Sequence, residues 1–379
     1  MRAVWAQAWA CRSSFGDRST TMRALMDGRV AIRPIDRFDA TGFPSRVAAP
    51  VPGWEDAEDR RTPLVLATLD DLRIPAGRTG VFLGAESGRG RFDTLRELVA
   101  AGGTPFDEAR FSVEGRRLAD RMSPDVVSPA APAVAVARAV GAKGPVETVS
   151  LACASGLAAI VEATRAIALG ECDVAIAGGV GVDVDPVMLA GFGKLQALSA
   201  KGVSRPFDRR RDGFVVGEGA ALVVLTAEPG PVRVAGVGRS MDAVHLTMPD
   251  PAGGGAERAM RHALLGTGID ALDLVAAHGT STPLNDAVEA AAIARLGLPI
   301  RAVNAVKGAL GHWVAGAGAL AFGTAFHALT TGEQIPTAGL EDPDDALPHV
   351  RAGRRVETRT ALVNAFAFGG ANASVVLCA

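Results

Sequence analysis

Short apolar runs alternate along this chain with stretches whose small apolar residues recur at helical spacing. Ala3–Cys11 reads as a first strand, followed by a short helix around Thr20–Asp27 and an extended Pro/Arg-containing segment up to Trp54. Leu64–Leu72 has helical character, and Gly80–Gly84 (GVFLG) reads as a buried strand. Glu86–Asp125 is charged and mostly helical, the pattern of a surface or partner-facing excursion. Ser128–Val140 predicts a helix rich in alanine and proline. Val149–Gly156 (VSLACASG) then predicts an apolar strand that stops at Cys153 and a helix whose first turn holds that cysteine. This helix runs to about Leu169, with Gly170 as its stop, and small residues on every face suit burial all round. Beyond it come a strand at Asp173–Gly178, a loop through Gly191, Phe192 and Gly193, a basic turn at Arg205–Arg211, a strand at Gly219–Leu225, and a linker at Thr226–Pro231.

Past the linker the pattern repeats. Asp212–Leu225 (DGFVVGEGAALVVL) lies over Asn364–Leu377 (NAFAFGGANASVVL) without a gap. The strand, turn and small-residue helix of 147–171 resembles 303–333, each helix closing on Gly-Glu. Two matching segments in the same order imply a duplicated unit, with one half at 1–228 and the other at 229–379. Apolar strands alternating with helices place the chain among α/β folds with sheets covered on both faces.

Composition narrows this further. At 379 residues the chain exceeds what one core usually supports, in keeping with two fused halves. A formal charge of −2 gives no electrostatic reason to bind nucleic acid or a membrane surface, and no apolar run reaches the ~18 residues that span a bilayer. Cys11, Cys153, Cys172 and Cys378 form no CxxC and lie at no metal-ligand spacing from histidine, so a reduced, cytoplasmic protein without a metal is expected.

A cysteine at a helix start meets unpaired N–H groups that favour its thiolate, the reactive form. The second half supplies His278 at a strand end, in the motif AHGTSTP, and His312 in the turn that begins at Lys307, which is read as the counterpart of the Cys153 turn. Cysteine with two histidines suits attack on a thioester: the thiolate accepts the acyl group, and imidazole N–H groups stabilise an enolate or oxyanion. Lys307 is a fixed charge near both rings. Asp286 and Glu289, one turn apart on the helix begun by Pro283, are positioned to hold Lys307 or to orient a histidine. Gly369 and Gly370, after Phe368, allow backbone N–H groups to approach a ligand. The basic run Lys201, Arg205, Arg209, Arg210, Arg211 reads as a solvated face or as a dock for an acidic carrier protein.

Together these motifs resemble the β-ketoacyl synthase family, elongating condensing enzymes of the thiolase fold. The resemblance is carried in order by Ile32–Phe43, Ala152–Gly156, Ser204–Gly219, His278–Pro283, Lys307–His312 and Phe366–Gly370. It implies a layered αβαβα fold and no cofactor, the phosphopantetheine arriving on the acyl carrier protein. By the same resemblance Cys153 is the nucleophile, His278 and His312 promote decarboxylation of a malonyl thioester, Lys307 is the lysine beside them, and Asp286 and Glu289 are its acidic partners. The N–H groups of Cys153 and Phe368 form the oxyanion hole, with Phe368 also gating the acyl chain. Thr280 and Thr282 hold the phosphopantetheine arm. Phe192, Phe366, Gly369 and Gly370 belong to the substrate site, and Asp242 and Thr247 to a mobile loop backing the gate. The activity implied is 3-oxoacyl-carrier-protein synthase, in a homodimer or in a heterodimer with a second ketosynthase-like subunit. A non-condensing acyltransferase and a non-catalytic chain-length subunit are the alternatives.

The chain departs from the family pattern in four places, one of them Ala130, in the helix before the nucleophile strand, where the family tends to carry a polar interface residue. Residues are missing between Val51 and Thr79, Glu86–Asp125 is unlike the usual interface helices, and Gln196 stands where relatives place a basic docking residue. The trimmed interface favours specialised-metabolite or polyketide assembly over housekeeping fatty-acid synthesis.

Overall fold

The computed structural model describes residues 2–54, 57–119 and 123–379. Its main sheet contains β1 (Val4–Ser13), β2 (Thr79–Gly84), β3 (Val146–Val149), β4 (Val174–Val182), β5 (Glu218–Thr226), β6 (Val232–Met241), β7 (Leu274–Ala276), β8 (Val303–Asn304), β9 (Thr360–Phe366) and β10 (Ala371–Cys378). Their order is β8-β7-β9-β10-β6-β1-β5-β4-β2-β3. That order is a palindrome. On one side β3-β2-β4 run parallel, with β5 and β1 antiparallel. On the other β8-β7-β9 run parallel, with β10 and β6 antiparallel. The two sets of five join where β1 pairs with β6, so the duplication read from the sequence is present strand for strand.

Strand alternation sorts the side chains into layers, because neighbouring residues point to opposite faces. Val81, Leu83, Ile176 and Leu222 meet Val65 and Leu69 of α1 (Arg61–Leu69) and Val136 of α2 (Ala131–Val140) on one outer face. Phe82, Ala177 and Val223, one residue out of phase, point inward to α3 (Ser155–Leu169). In the second half Val275, Leu362 and Val376 meet Met260 and Ile293, on the outer helices Gly254–Leu264 and Pro283–Ala294. Val363 and Val375 point inward to the helix Ala317–Thr331. The layers are therefore αβαβα, with two helices of the same length buried at the centre. Counted with the turns before them, these two helices are long and apolar enough to cross a membrane, contrary to the sequence expectation. They are instead mostly buried inside the protein.

Small residues let the central helices approach each other. A Cβ on Gly156 would stand 2.6 Å from the Ala315 carbonyl oxygen and 3.3 Å from Ala319 Cβ. Alanine gains about 1 kcal/mol over glycine in a helix, but overpacking against backbone costs about 1–3 kcal/mol. Gly156→Ala is therefore expected to lower stability, read as an earlier midpoint in urea unfolding. A later midpoint would mean that the helices can part freely.

Three local readings are corrected. Gly191, Phe192 and Gly193 lie in a helix, Pro186–Lys194, not a loop; Asp185 caps it by accepting from Met188 N at 2.9 Å, and Pro186 follows the cap. The strand before the cysteine ends at Val149 and is partly exposed, because β3 is the sheet edge. Cys153 then sits in a 3-10 turn, Ala152–Ala154, ahead of the helix rather than inside its first turn. The segment after Glu86 is a surface excursion as expected: helix Phe92–Ala100 buries no residue, and Phe92, Val99, Phe106 and Val113 are exposed.

Candidate active site

Duplication builds the turn that carries Cys153. The two 3-10 turns, Ala152–Ala154 and Val314–Gly316, occupy equivalent places, each ahead of a 15-residue helix. Each opens on a non-glycine residue in the left-handed region, Ala152 at φ 46° and Val314 at φ 45°. Such strain persists only where surrounding bonds over-determine it. At Ala152 they come from Ser155, whose Oγ donates to Ala152 O at 2.6 Å and accepts from Leu151 N at 2.8 Å. Glu86 stands behind, 3.0 Å from Ser155 Oγ and 2.7 Å from Ser150 Oγ. The sequence counterpart of Cys153 is thus Ala315, and His312 precedes the start of the equivalent turn by two residues. The repeat located the right neighbourhood with the wrong register.

Cys153, His278 and His312 line one cavity of about 340 Å³, together with Thr247, Thr280, Thr282, Phe366 and Phe368. The imidazole centroids lie 5.6 Å apart. Val314 N–H donates to His312 Nδ1 at 3.1 Å, which puts the ring proton on Nε2, and Nε2 is buried with no hydrogen-bond partner among the described residues. The Lys307 ammonium donates to the His278 carbonyl oxygen and stands 3.3 Å from His278 Nδ1, fixing the same tautomer there. Burial holds both imidazoles well below the usual histidine range, and the Lys307 charge adds to this. Burial also lowers Lys307, to about 8, against the pull of Glu289. Near neutral pH the site therefore holds two uncharged N–H donors and one buried cation.

The cysteine differs from its sequence reading. Burial pushes the Cys153 thiol up to about 12, outweighing the attraction of Lys307 and a hydrogen bond from Phe368 N–H. The resting group is a thiol, so its proton must leave as the sulfur attacks.

Asp286 and Glu289 are both buried, and both act on backbone. Glu289 accepts from His278 N and Gly279 N at 2.8 Å each, with Asn364 Nδ2 at 3.3 Å. Asp286 accepts from Phe207 N, Thr280 N and Ser281 N at 2.8, 2.9 and 3.0 Å. The pair clamps the loop that carries His278, so it orients that histidine through its main chain and does not grip Lys307. Burial raises the Glu289 carboxyl to about 7 despite these donors. Glu289→Ala would orphan two buried N–H groups, at about 1–3 kcal/mol each. It is expected to lower the urea midpoint and slow turnover together. Loss of one without the other would contradict the clamp.

The remaining sequence candidates divide. Thr280 and Thr282 line the cavity, their hydroxyls 2.9 Å apart. Gly369 and Gly370 adopt φ 86° and 78°, but their N–H groups are taken by Leu246 O and Ala367 O, leaving Phe368 N–H as the donor aimed at sulfur. Asp242 holds the 242–250 loop against this turn, accepting from Asn372 Nδ2 at 2.7 Å and Asp250 N at 3.0 Å. Phe192 does not line the cavity; it packs edge-on against Phe214, ring centroids 5.1 Å apart. Of the basic run, Arg209, Arg210 and Arg211 are each paired to acidic residues between 341 and 344.

Phe214 was missed, although the repeat carried its signal. It is the counterpart of Phe366 in the gapless overlay, and the two rings face the two histidines, Phe214–His312 at 5.2 Å and Phe366–His278 at 5.8 Å. Glu86 was missed because its segment read as a charged surface.

The fold and this constellation are those of a thiolase-like condensing enzyme. The Beta-ketoacyl synthase N-terminal domain matches residues 64–229 and the C-terminal domain residues 232–341, and the chain belongs to this family. A 3-oxoacyl-acyl-carrier-protein synthase 2 of Coxiella burnetii is 33% identical, the match covering 96% of this chain and 95% of the relative. A 3-oxoacyl-acyl-carrier-protein synthase 2 of Rhizobium meliloti is 34% identical over 93% of each. Among solved structures, a beta-ketoacyl synthase from Burkholderia phymatum has a TM-score of 0.84 at 29% identity, covering 100% of this chain and 99% of that one. The ishigamide ketosynthase/chain length factor has a TM-score of 0.85 at 29% identity, with the same coverage. The resemblance read from the motifs is borne out in family, fold and enzyme class.

Proposed function

We propose that the chain is a 3-oxoacyl-acyl-carrier-protein synthase, with the division of its halves at 228/229 and with Cys153, His278 and His312 as its reacting side chains. The observation that carries this reading is the pair of imidazoles, each with Nδ1 engaged and Nε2–H free, in the cavity that holds the thiol. Cys153 Sγ attacks the carbonyl carbon of an acyl thioester. The N–H groups of Cys153 and Phe368 receive the developing oxyanion, and the carrier thiol leaves with the proton that sulfur gives up. A malonyl thioester then enters past Thr280 and Thr282, which receive the phosphopantetheine arm, while Phe368 and the Thr247 loop gate the acyl chain. Its carboxylate carbon departs as CO2, and the electron pair of that bond becomes an enolate whose oxygen accepts from both Nε2–H groups. Neutral imidazoles serve here as donors, and preorganised donors act most strongly in a dry site. The enolate carbon attacks the acyl-cysteine, and sulfur leaves and regains a proton. This chemistry requires no metal or organic cofactor.

The acyl carrier protein is the partner that delivers both substrates. The exposed apolar residues of helices Phe92–Ala100 and Glu108–Ala119 support a second subunit on that face, and the reading is of a cytoplasmic enzyme in specialised metabolism. The test is incubation with acyl and malonyl groups on an acyl carrier protein, followed by mass spectrometry. A β-ketoacyl product two carbons longer supports condensation. Acylated Cys153 without elongation would point to transfer alone, and activity only on adding a second subunit would assign a heterodimer.

A further inference from the structure

The turn that carries Cys153 has a clamp that its twin does not. Both turns open in the left-handed region, Ala152 at φ 46° and Val314 at φ 45°. The helix after the first begins at Ser155 and the helix after the second at Ala317, so the second half has no hydroxyl at that place. The fold thus forms this turn without a serine there, and the clamp accompanies the turn that holds the sulfur.

The clamp ends on Glu86. Its Oε2 accepts from Ser150 Oγ at 2.7 Å, and its Oε1 faces Ser155 Oγ at 3.0 Å. Ser150 and Ser155 flank Cys153 in the chain, so one carboxylate ties both ends of the segment. Ser155 Oγ has a single proton, shared between Ala152 O at 2.6 Å and the carboxylate, while one lone pair accepts from Leu151 N. Glu86 is itself fixed from behind. Buried Arg61 donates to Glu86 O at 2.5 Å and to Val126 O at 2.8 Å, and Ala85 N donates to Val149 O at 3.2 Å. A Cβ on Gly84, the last residue of β2, would stand 2.3 Å from Gly156 N, so this strand end presses on the start of α3. Electrostatics alone disfavours a carboxylate here, because its charge raises the Cys153 thiol. What Glu86 gives the site lies in its bonds.

We infer that Glu86 is a positioning residue for acyl transfer, holding Ser150 and Ser155 so that Cys153 Sγ and Cys153 N–H keep a fixed aim at the incoming thioester. It acts through the two serines. A misplacement of about 1 Å at a reacting atom costs on the order of 10²-fold in rate, which sets the scale of the effect. The histidines are oriented independently, by Val314 N–H and Lys307. The inference rests on the condensing reading above, in which Cys153 is the nucleophile.

Two substitutions separate position from charge. Glu86→Asp keeps the charge but is one methylene too short to meet both serines. Glu86→Gln loses the charge but keeps the reach, its oxygen accepting from Ser150 Oγ and its N–H donating to the second lone pair of Ser155 Oγ. Each variant is assayed for acylation of Cys153 by an acyl-pantetheine thioester, alkylation of Cys153 by iodoacetamide, malonyl decarboxylation and the urea midpoint. Glu86→Asp is expected to lower kcat of acylation by about tenfold or more, with KM and decarboxylation within about twofold. Its alkylation should not slow, since that reaction uses no oxyanion donor. Glu86→Gln should acylate within about threefold of the unaltered chain. The opposite order, with Glu86→Gln slow and Glu86→Asp normal, would overturn the inference in favour of charge. Equal losses of acylation and decarboxylation with a lower urea midpoint would overturn it in favour of a structural role. Normal acylation by both variants would overturn it as well. An unaltered chain that takes up no acyl group would instead refute the condensing reading, and the inference with it.

Discussion

Cys153→Ala is expected to abolish transfer of an acyl group to the protein, by about 10⁴-fold or more, while malonyl decarboxylation remains measurable. The expectation follows from how the site is divided. The sulfur is held by the 3-10 turn of the first half, through Ser155 and Glu86. The two imidazoles hang on the second half and take their tautomers from Val314 N–H and Lys307. None of the bonds that orient the histidines involves the thiol. Removing sulfur deletes the acyl acceptor but leaves both Nε2–H donors in place for the enolate. Alanine leaves Phe368 N–H without its sulfur acceptor, but that residue is only partly buried and faces the cavity, so the fold should tolerate the change. Released CO2 and covalent acylation, measured on the same preparation, check the claim. Equal loss of both would mean that the roles are not separable.

His312→Ala is the converse experiment. Loss of one preorganised donor to a developing oxyanion costs about 10²–10³-fold in rate, and that loss should fall on decarboxylation. Acylation of Cys153 should be much less affected, because its oxyanion is received by backbone N–H groups. A structural cost accompanies it: Val314 N–H loses its acceptor, at about 1–3 kcal/mol. The fall in unfolding midpoint measures that cost separately. An unchanged condensation rate would remove His312 from the mechanism.

Much of this site was legible in the amino-acid order because duplication writes the fold twice. The overlay of 212–225 on 364–377 anticipated β5 and β10, which occupy mirrored places in the sheet. It also paired Phe214 with Phe366 as the turn phenylalanine of each half, but did not reveal the histidine that each ring faces. Register was harder. His312 and Cys153 both sit near a strand-to-helix turn, and only backbone angles at Ala152 and Val314 reveal which residues are equivalent.

Other errors came from weighing one force without its rival. A helix start favours a thiolate, yet burial around Cys153 prevails. Asp286 and Glu289 were open to two roles, holding Lys307 or orienting a histidine, and the second is the one seen, because a tight loop leaves buried N–H groups facing them. Glycines at 191 and 193 read as breakers, although Asp185-Pro186 ahead of them is a helix start. Glu86 could not be found by pattern at all, since its role depends on β2 ending beside the Cys153 turn.

The central claim is that Cys153 carries the growing chain and that carbon–carbon bond formation occurs on it. The most direct measurement is a single turnover: protein acylated at Cys153 and freed of excess donor is mixed with malonyl carrier, and product, CO2 and the Cys153 peptide are quantified together. The account predicts one β-ketoacyl product, longer by two carbons, and one CO2 for each acyl group lost from Cys153. Release of the acyl group by hydrolysis, with no elongated product, would contradict it.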